Sequence, residues 1–216
     1  MLNDDTRKRL ENIIRGNVIE GQESNLTAAR NYLCQSFRTS TTVKKDFDNQ
    51  SRIKEEQKKQ LIAYATLAGF WFDNIDESKY LTEGGEAKIY LALGEQTVLK
   101  VNDAIYYSTW LDFLNSILIH NLFFEKTSYT LKGFKKHEHN LYAVLEQPFI
   151  VEDSQTDLGD VNVFLAYNGF KNVRRNDYYN KELGLILEDV HDENVLTSSN
   201  TLFFIDTVFY IHVFEG

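Results

Sequence analysis

The stretch Leu187-Glu188-Asp189-Val190-His191-Asp192-Glu193-Asn194-Val195-Leu196, followed by Phe204-Ile205-Asp206, sets three oxygen-bearing side chains among β-forming apolar residues. Asn194 lies five residues after Asp189, and Asp206 lies twelve after Asn194. A loop this short presents Asp189 and Asn194 to one point. A hairpin pairing Asn194–Thr197 with Thr201–Asp206 then returns the third oxygen donor beside them. Asp and Asn oxygens are hard ligands, which magnesium carried by a nucleotide triphosphate prefers. On this reading Asn194 and Asp206 hold the metal, and Asp189 accepts or steers a proton from an acceptor hydroxyl. The plainer alternative is an acidic surface loop, Glu188-Asp189 and Asp192-Glu193, closed by Asn194. Asp206 argues against it, because a charge that ends so apolar a run as Leu202-Phe203-Phe204-Ile205 usually serves a site.

Upstream, Glu83-Gly84-Gly85-Glu86-Ala87-Lys88 is a glycine turn between β-like runs. Two glycines let the backbone approach phosphate oxygens and aim N–H groups at them. A Gly-Gly pair alone is equally an ordinary hairpin turn, and Glu86 suits a phosphate site only if its side chain points away. Lys100 closes Thr97-Val98-Leu99-Lys100, fifteen residues after Gly85. A lysine there reaches the α- and β-phosphates, whereas a lone strand lysine more often faces solvent. Asp112 and Glu125 are both candidates for the carboxylate that steadies it. Leu141–Ile150 supplies the connection between the lobes, where adenine pairs with backbone groups; the plainer alternative is an edge strand that ends at a proline. Pro148 has no N–H, so the donor falls to Gln147 or Phe149, with Glu146 beside them.

Around these motifs, residues 1–76 are expected to be helical and to pack on the rest: Arg7–Arg15 ending at Gly16, Leu26–Phe37 capped by Asn25, and Arg52–Ala68 capped by Ser51 and closed by Gly69. Thr39–Asp48 is expected as a loop. Residues 77–150 hold strands at Lys88–Leu93, Gln96–Val101, Ser128–Phe134 and Leu141–Ile150, with a helix over Ala104–Phe124. Residues 151–216 hold a helix over Thr156–Tyr167, then the loop and hairpin. The expected class is α+β: a small antiparallel sheet with a reduced helical C-terminal lobe and N-terminal helices.

Composition bounds the function. In 216 residues, 43% are hydrophobic, enough for a substantial core. A net charge of -9 gives no support for nucleic-acid binding, which needs surplus Lys and Arg. Cys34 is the single cysteine, which excludes an intramolecular disulfide and a cysteine zinc site. His137 and His139 have no clear third ligand, and His191 is expected to brace its loop by hydrogen bonding. No apolar run spans a bilayer, and Met1–Asp5 lacks the basic head and apolar stretch of a signal peptide, so a cytoplasmic protein is expected.

Leu187–Leu196 resembles the H-G-D-L-H-P-x-N-[IV]-L loop of aminoglycoside-kinase-like and other atypical kinases, with Asp189, His191 and Asn194 on matching positions. Gly84–Tyr90, Val98–Lys100, Leu145–Phe149 and Phe204–Thr207 resemble more closely the kinase domain of polyvalent proteins, found on bacterial phages and conjugative elements. The likeness covers Leu61 to Phe209. It implies a protein-kinase-like fold, ATP and Mg2+, and Ser/Thr/Tyr phosphorylation, while departures from the family pattern bring in a small-molecule hydroxyl as the other acceptor. Three departures stand out. Leu187 replaces the first His of the loop. Thr207-Val208 follows Asp206 where Phe-Gly is usual. Ten residues follow Asp206, which leaves no room for an activation segment or a long helical lobe. A non-transferring interaction module and AMP transfer on the same fold therefore stay open.

Overall fold

The computed structural model describes residues 3–21, 24–37 and 47–212. They divide into two compact units: Glu11–Leu118 with Tyr129–Phe149, and Met1–Leu10 with Ile119–Ser128 and Ile150–Gly216.

Three helices open the chain, α1 (Asp4–Ile14), α2 (Asn25–Phe37) and α3 (Phe47–Leu67). All begin earlier than expected. For α1 and α2 the effective caps lie upstream: Asn3 Oδ1 accepts the Thr6 N–H at 2.8 Å, and Ser24 Oγ accepts the Thr27 N–H at 3.1 Å. Gly16 and Gly69 stop α1 and α3 with φ of +67° and +62°, a conformation only glycine adopts at no steric cost. The loop expected at Thr39–Asp48 falls outside the described residues as far as 46, and Phe47-Asp48 are already helical.

In the larger unit, β1 (Tyr80–Glu83), β2 (Ala87–Leu91), β3 (Thr97–Asn102), β4 (Thr130–His137) and β5 (Asn140–Pro148) form one antiparallel sheet in the order β1-β2-β3-β5-β4. Its β2–β3 turn contains Gly94 and Glu95, both at positive φ, the conformation tight hairpin turns use. One face packs Tyr90, Leu99, Val101 and Val144 against Phe72, Ile75 and Tyr142. Along the outer edge of β4 runs Phe70–Phe72. Phe72 N–H donates to Phe134 O at 2.8 Å, and Phe134 N–H donates to Phe70 O at 3.0 Å. The close approach needs Gly133, which sits at an irregularity in the β4–β5 pairing with φ of +156°.

The helix expected over Ala104–Phe124 is α4 (Trp110–Phe123), six residues shorter at its start. Ala104–Phe124 as a whole carries apolar residues at helical spacing, but at its start local side chains capture the backbone first. Asn102 Oδ1 accepts the Ala104 N–H at 2.7 Å and Asp103 Oδ1 accepts the Ile105 N–H at 3.0 Å. Lys54 of α3 then fixes this loop, its ammonium donating to Ala104 O at 2.6 Å and Tyr107 O at 2.8 Å. Arg30 of α2, with no exposed surface, joins three helices. Its guanidinium donates to Ile13 O at 3.2 Å, to Asn17 O, and to Asn115 Oδ1 of α4 at 3.0 Å. The α1 carbonyls carry the negative end of a helix dipole, which offsets the buried charge.

The smaller unit corrects the expected helical lobe. Its segment from Ile150 onward has, among the described residues, one 10-residue helix, α5 (Leu158–Tyr167), capped by Asp157. Six four-residue strands follow: β6 (Lys171–Arg174), β7 (Asp177–Asn180), β8 (Leu185–Glu188), β9 (Val195–Ser198), β10 (Thr201–Phe204) and β11 (Val208–Ile211). They make an antiparallel sheet β11-β8-β7-β6 and a separate hairpin β9–β10. Phenylalanines fill its interior: Phe124 stacks on Phe204 at 4.2 Å, and Phe123 lies on Phe209 at 5.5 Å and edge-on to Phe170 at 5.6 Å. The α+β class with antiparallel sheets holds. Among the described residues, no helix is long and apolar enough to cross a membrane.

Candidate functional site

Strand pairing assembles the Asp–Asn–Asp series. β8 pairs with β11 so that Glu188 faces Val208. Asp189 and Thr207 are therefore the next residues out on the two strands. β9 pairs with β10 so that Val195 faces Phe204, and the next rung is the Ile205 N–H donating to Asn194 O at 2.9 Å. Two ladders thus close at one end, and Asp206 is carried back to the loop that bears Asp189 and Asn194. Among these residues the hairpin matches the expected one within two residues at each strand end.

The loop itself is cross-braced. Asp189 takes φ of +63°, which suits Asp better than most residues because its side chain bonds locally. Asn194 Nδ2 donates to Asp189 O and to Asp189 Oδ2, both at 2.9 Å. An amide whose NH2 is committed to a carbonyl and a carboxylate turns its Oδ1 the other way. That orientation fits the hard-oxygen role assigned to Asn194. His191 Nδ1 accepts the Glu193 N–H at 3.3 Å, and its Nε2 lies 3.1 Å from Asn194 Nδ2 and 3.3 Å from Asp189 Oδ1. His191 braces the loop rather than offering itself to a metal. Burial first, and then the charges of Asp177 and Asp189, hold the Glu188 carboxyl above the usual carboxylate range.

Among the described residues no group of three or more His, Cys, Asp or Glu side chains is arranged to hold a metal. Magnesium bound with a nucleotide does not need one, since phosphate oxygens and water supply most of its ligands and one or two protein oxygens suffice. Asp206, next along the chain from Ile205, is half-buried. Beside the loop is a cavity of about 510 Å³ walled by Glu152, Asp153, Asp192 and Glu193, with Thr156 and Leu196. Its carboxylates repel a triphosphate and favour a group carrying positive charge.

The remaining expected site residues belong to the larger unit. The Gly84-Gly85 turn joins β1 to β2, its Gly84 N–H donating to Ala87 O at 3.0 Å. Tyr106, which the sequence reading did not single out, lies on this turn: a Cβ at Gly85 would stand 2.5 Å from its Oη. Glu86 is half-buried. Lys100 is on the third strand and only 5% exposed, its ammonium 3.3 Å from Tyr129 Oη and 5.4 Å from the ring centre. A strand lysine facing solvent is thereby excluded. Thr109 caps the start of α4, its Oγ1 accepting the Asp112 N–H at 3.1 Å and donating to the Asp112 carboxylate at 2.8 Å. Glu125 is exposed at the start of a single 3-10 turn.

On β5 the expected adenine donors are already engaged. Phe149 N–H donates to Gln96 O at 2.9 Å. Bonded pairs alternate along an antiparallel ladder, so the Val98–Gln147 pair two residues on is bonded as well. Glu146 ties the sheet crosswise, accepting from Thr97 Oγ1 and from Lys132 Nζ, each at 3.0 Å. The sequence did not show that this stretch of β5 lies beside β3 along its whole length.

Comparison with curated proteins and with solved structures finds no match. The family described as the serine/threonine/tyrosine kinase found in polyvalent proteins matches residues 54–213, most of the sequence, and the chain belongs to that family.

Proposed function

We propose that this chain is an ATP- and magnesium-dependent phosphotransferase acting on a protein or small-molecule hydroxyl. The observation that carries the reading is the closure of the β8–β11 and β9–β10 ladders at one end, with Asp189, Asn194 and Asp206 on the segments they join. In this reading Gly84–Ala87 covers the phosphates and the buried Lys100 anchors them. Asn194 and Asp206 hold magnesium, which supplies charge neutralisation on the transferring group. Asp189 orients the acceptor hydroxyl and receives its proton. The acceptor oxygen forms a bond to the γ-phosphorus as the bond from that phosphorus to the bridging oxygen of ADP breaks.

Calorimetry with magnesium and ATP tests the nucleotide part. Wild type should bind and Asp206→Ala should bind more weakly; absent binding, or equal binding by the variant, removes the claim. Binding with neither transfer nor hydrolysis of the γ-phosphate would reduce the chain to a nucleotide-binding module.

A further inference from the structure

We infer that His120 is a positioning residue for Asp206, acting through Thr207; the inference rests on the phosphotransferase reading above. His120 is in the last turn of α4 and has no exposed surface. Both of its ring nitrogens are engaged. Nε2 is 3.1 Å from Thr127 O, which can only accept, so the ring proton resides on Nε2. Nδ1 is left with a lone pair and takes the Thr207 hydroxyl proton at 3.1 Å. The Thr127 hydroxyl donates elsewhere, to Phe124 O at 3.2 Å. The imidazole is also wedged by packing, lying edge-on to Phe124 at 5.2 Å, which in turn stacks on Phe204 of β10.

The consequence falls on Asp206. Its two chain neighbours are both tied: Ile205 through its N–H to Asn194 O, and Thr207, 4% exposed, through its hydroxyl to His120. A residue held on both sides cannot swing away from the loop that bears Asn194. The anchoring also accounts for the Thr207-Val208 departure. Where an aromatic residue would fix the position by packing, threonine fixes it by a buried hydrogen bond, and that bond needs a partner with one free lone pair. A bond that served folding alone would be nearly neutral to isosteric apolar replacement of both partners. A bond that orients a metal ligand is instead read out in metal affinity, where loss of an outer partner typically costs about 10–100-fold.

The test is manganese binding, followed by electron paramagnetic resonance, to the full chain with a non-hydrolysable ATP analogue. Nucleotide affinity without divalent ions and the thermal midpoint are measured on the same samples. Thr207→Val keeps shape and burial but loses the hydroxyl; it should weaken manganese binding by about 10–100-fold and leave nucleotide affinity without divalent ions near wild type, while the thermal midpoint falls because His120 Nδ1 is left without its donor. Thr207→Ser should restore binding to within about threefold of wild type, since its hydroxyl donates as threonine's does. His120→Phe combined with Thr207→Val should lose no more than either alone, the mark of a shared interaction. If Thr207→Val does not fold, Thr207→Cys, a weak donor of similar size, should give an intermediate loss. Wild-type manganese affinity in Thr207→Val, or an equal loss in Thr207→Ser, overturns the inference and leaves the phosphotransferase reading standing. Failure of the wild-type chain to take up manganese with the analogue overturns both.

Discussion

Replacing Asp189 by Asn separates the proposed chemistry from the architecture of the loop. Asn is among the residues that tolerate the φ of +63° found at position 189, so the backbone should not relax. The Asn194 bond to the main-chain oxygen is untouched, and an amide oxygen can accept the second bond made to the carboxylate. What is lost is a negative charge whose side chain is 57% exposed, paired with His191 at 3.3 Å. Such exposed pairs contribute about 0–1 kcal/mol. A chain of this size should therefore shift its thermal midpoint by no more than about 4 °C. Removing a positioned proton acceptor, in contrast, should slow γ-phosphate transfer by about 10²–10⁴-fold, equivalent to about 3–5 kcal/mol of barrier. Nucleotide affinity measured by calorimetry should stay at the wild-type value. Two results would refute the reasoning: transfer or γ-phosphate hydrolysis within about threefold of wild type, or an affinity loss as large as the loss of rate.

Arg30→Met should be destabilising, by about 1–3 kcal/mol in urea unfolding for each acceptor orphaned, because it leaves the Ile13 carbonyl of α1 and the Asn115 amide oxygen without their donor; a total change under about 1 kcal/mol would show those groups to be otherwise satisfied. Glu188→Gln should raise the thermal midpoint at neutral pH. The folded carboxyl titrates above its unfolded value, so its favourable contribution belongs to acid and is lost as pH rises through the folded pKa. The gain of the variant should thus vanish on acidification, and a pH-independent gain would contradict this. Gly133→Ala should cost at least about 1–3 kcal/mol, since its Cβ would meet the Phe70 carbonyl at 2.9 Å in a backbone conformation unsuited to alanine; scanning calorimetry of that variant checks it.

The loop from Asp189 to Asn194 was legible because its contacts are local in sequence, and six residues fix their own geometry. The return of Asp206 was half legible. The β9–β10 hairpin could be read from the run Leu202–Ile205, but the second ladder, β8 with β11, joins residues too far apart for any pattern to announce. Strands β6 and β7 escaped notice because four residues show too little alternation. The false start of α4 has a different cause: Asn102 and Asp103 divert the backbone before a plausible apolar stripe can wind. His120 was not singled out in the sequence, since its meaning lies in a partner 87 residues away.

The strand-like run of Phe70–Phe72 bears on how this protein behaves at high concentration. A sheet with a bare outer strand invites a second chain to add itself by main-chain pairing. On the β4 side the chain's own backbone already occupies part of that row, at Phe134, so a newcomer would have to displace it. The opposite side, β1, is four residues long and irregular in its pairing with β2, both of which make it a poor template for growth. Self-association through fibril-like stacking is thereby blunted at both borders of the sheet, and loss of Gly133 would open one of them.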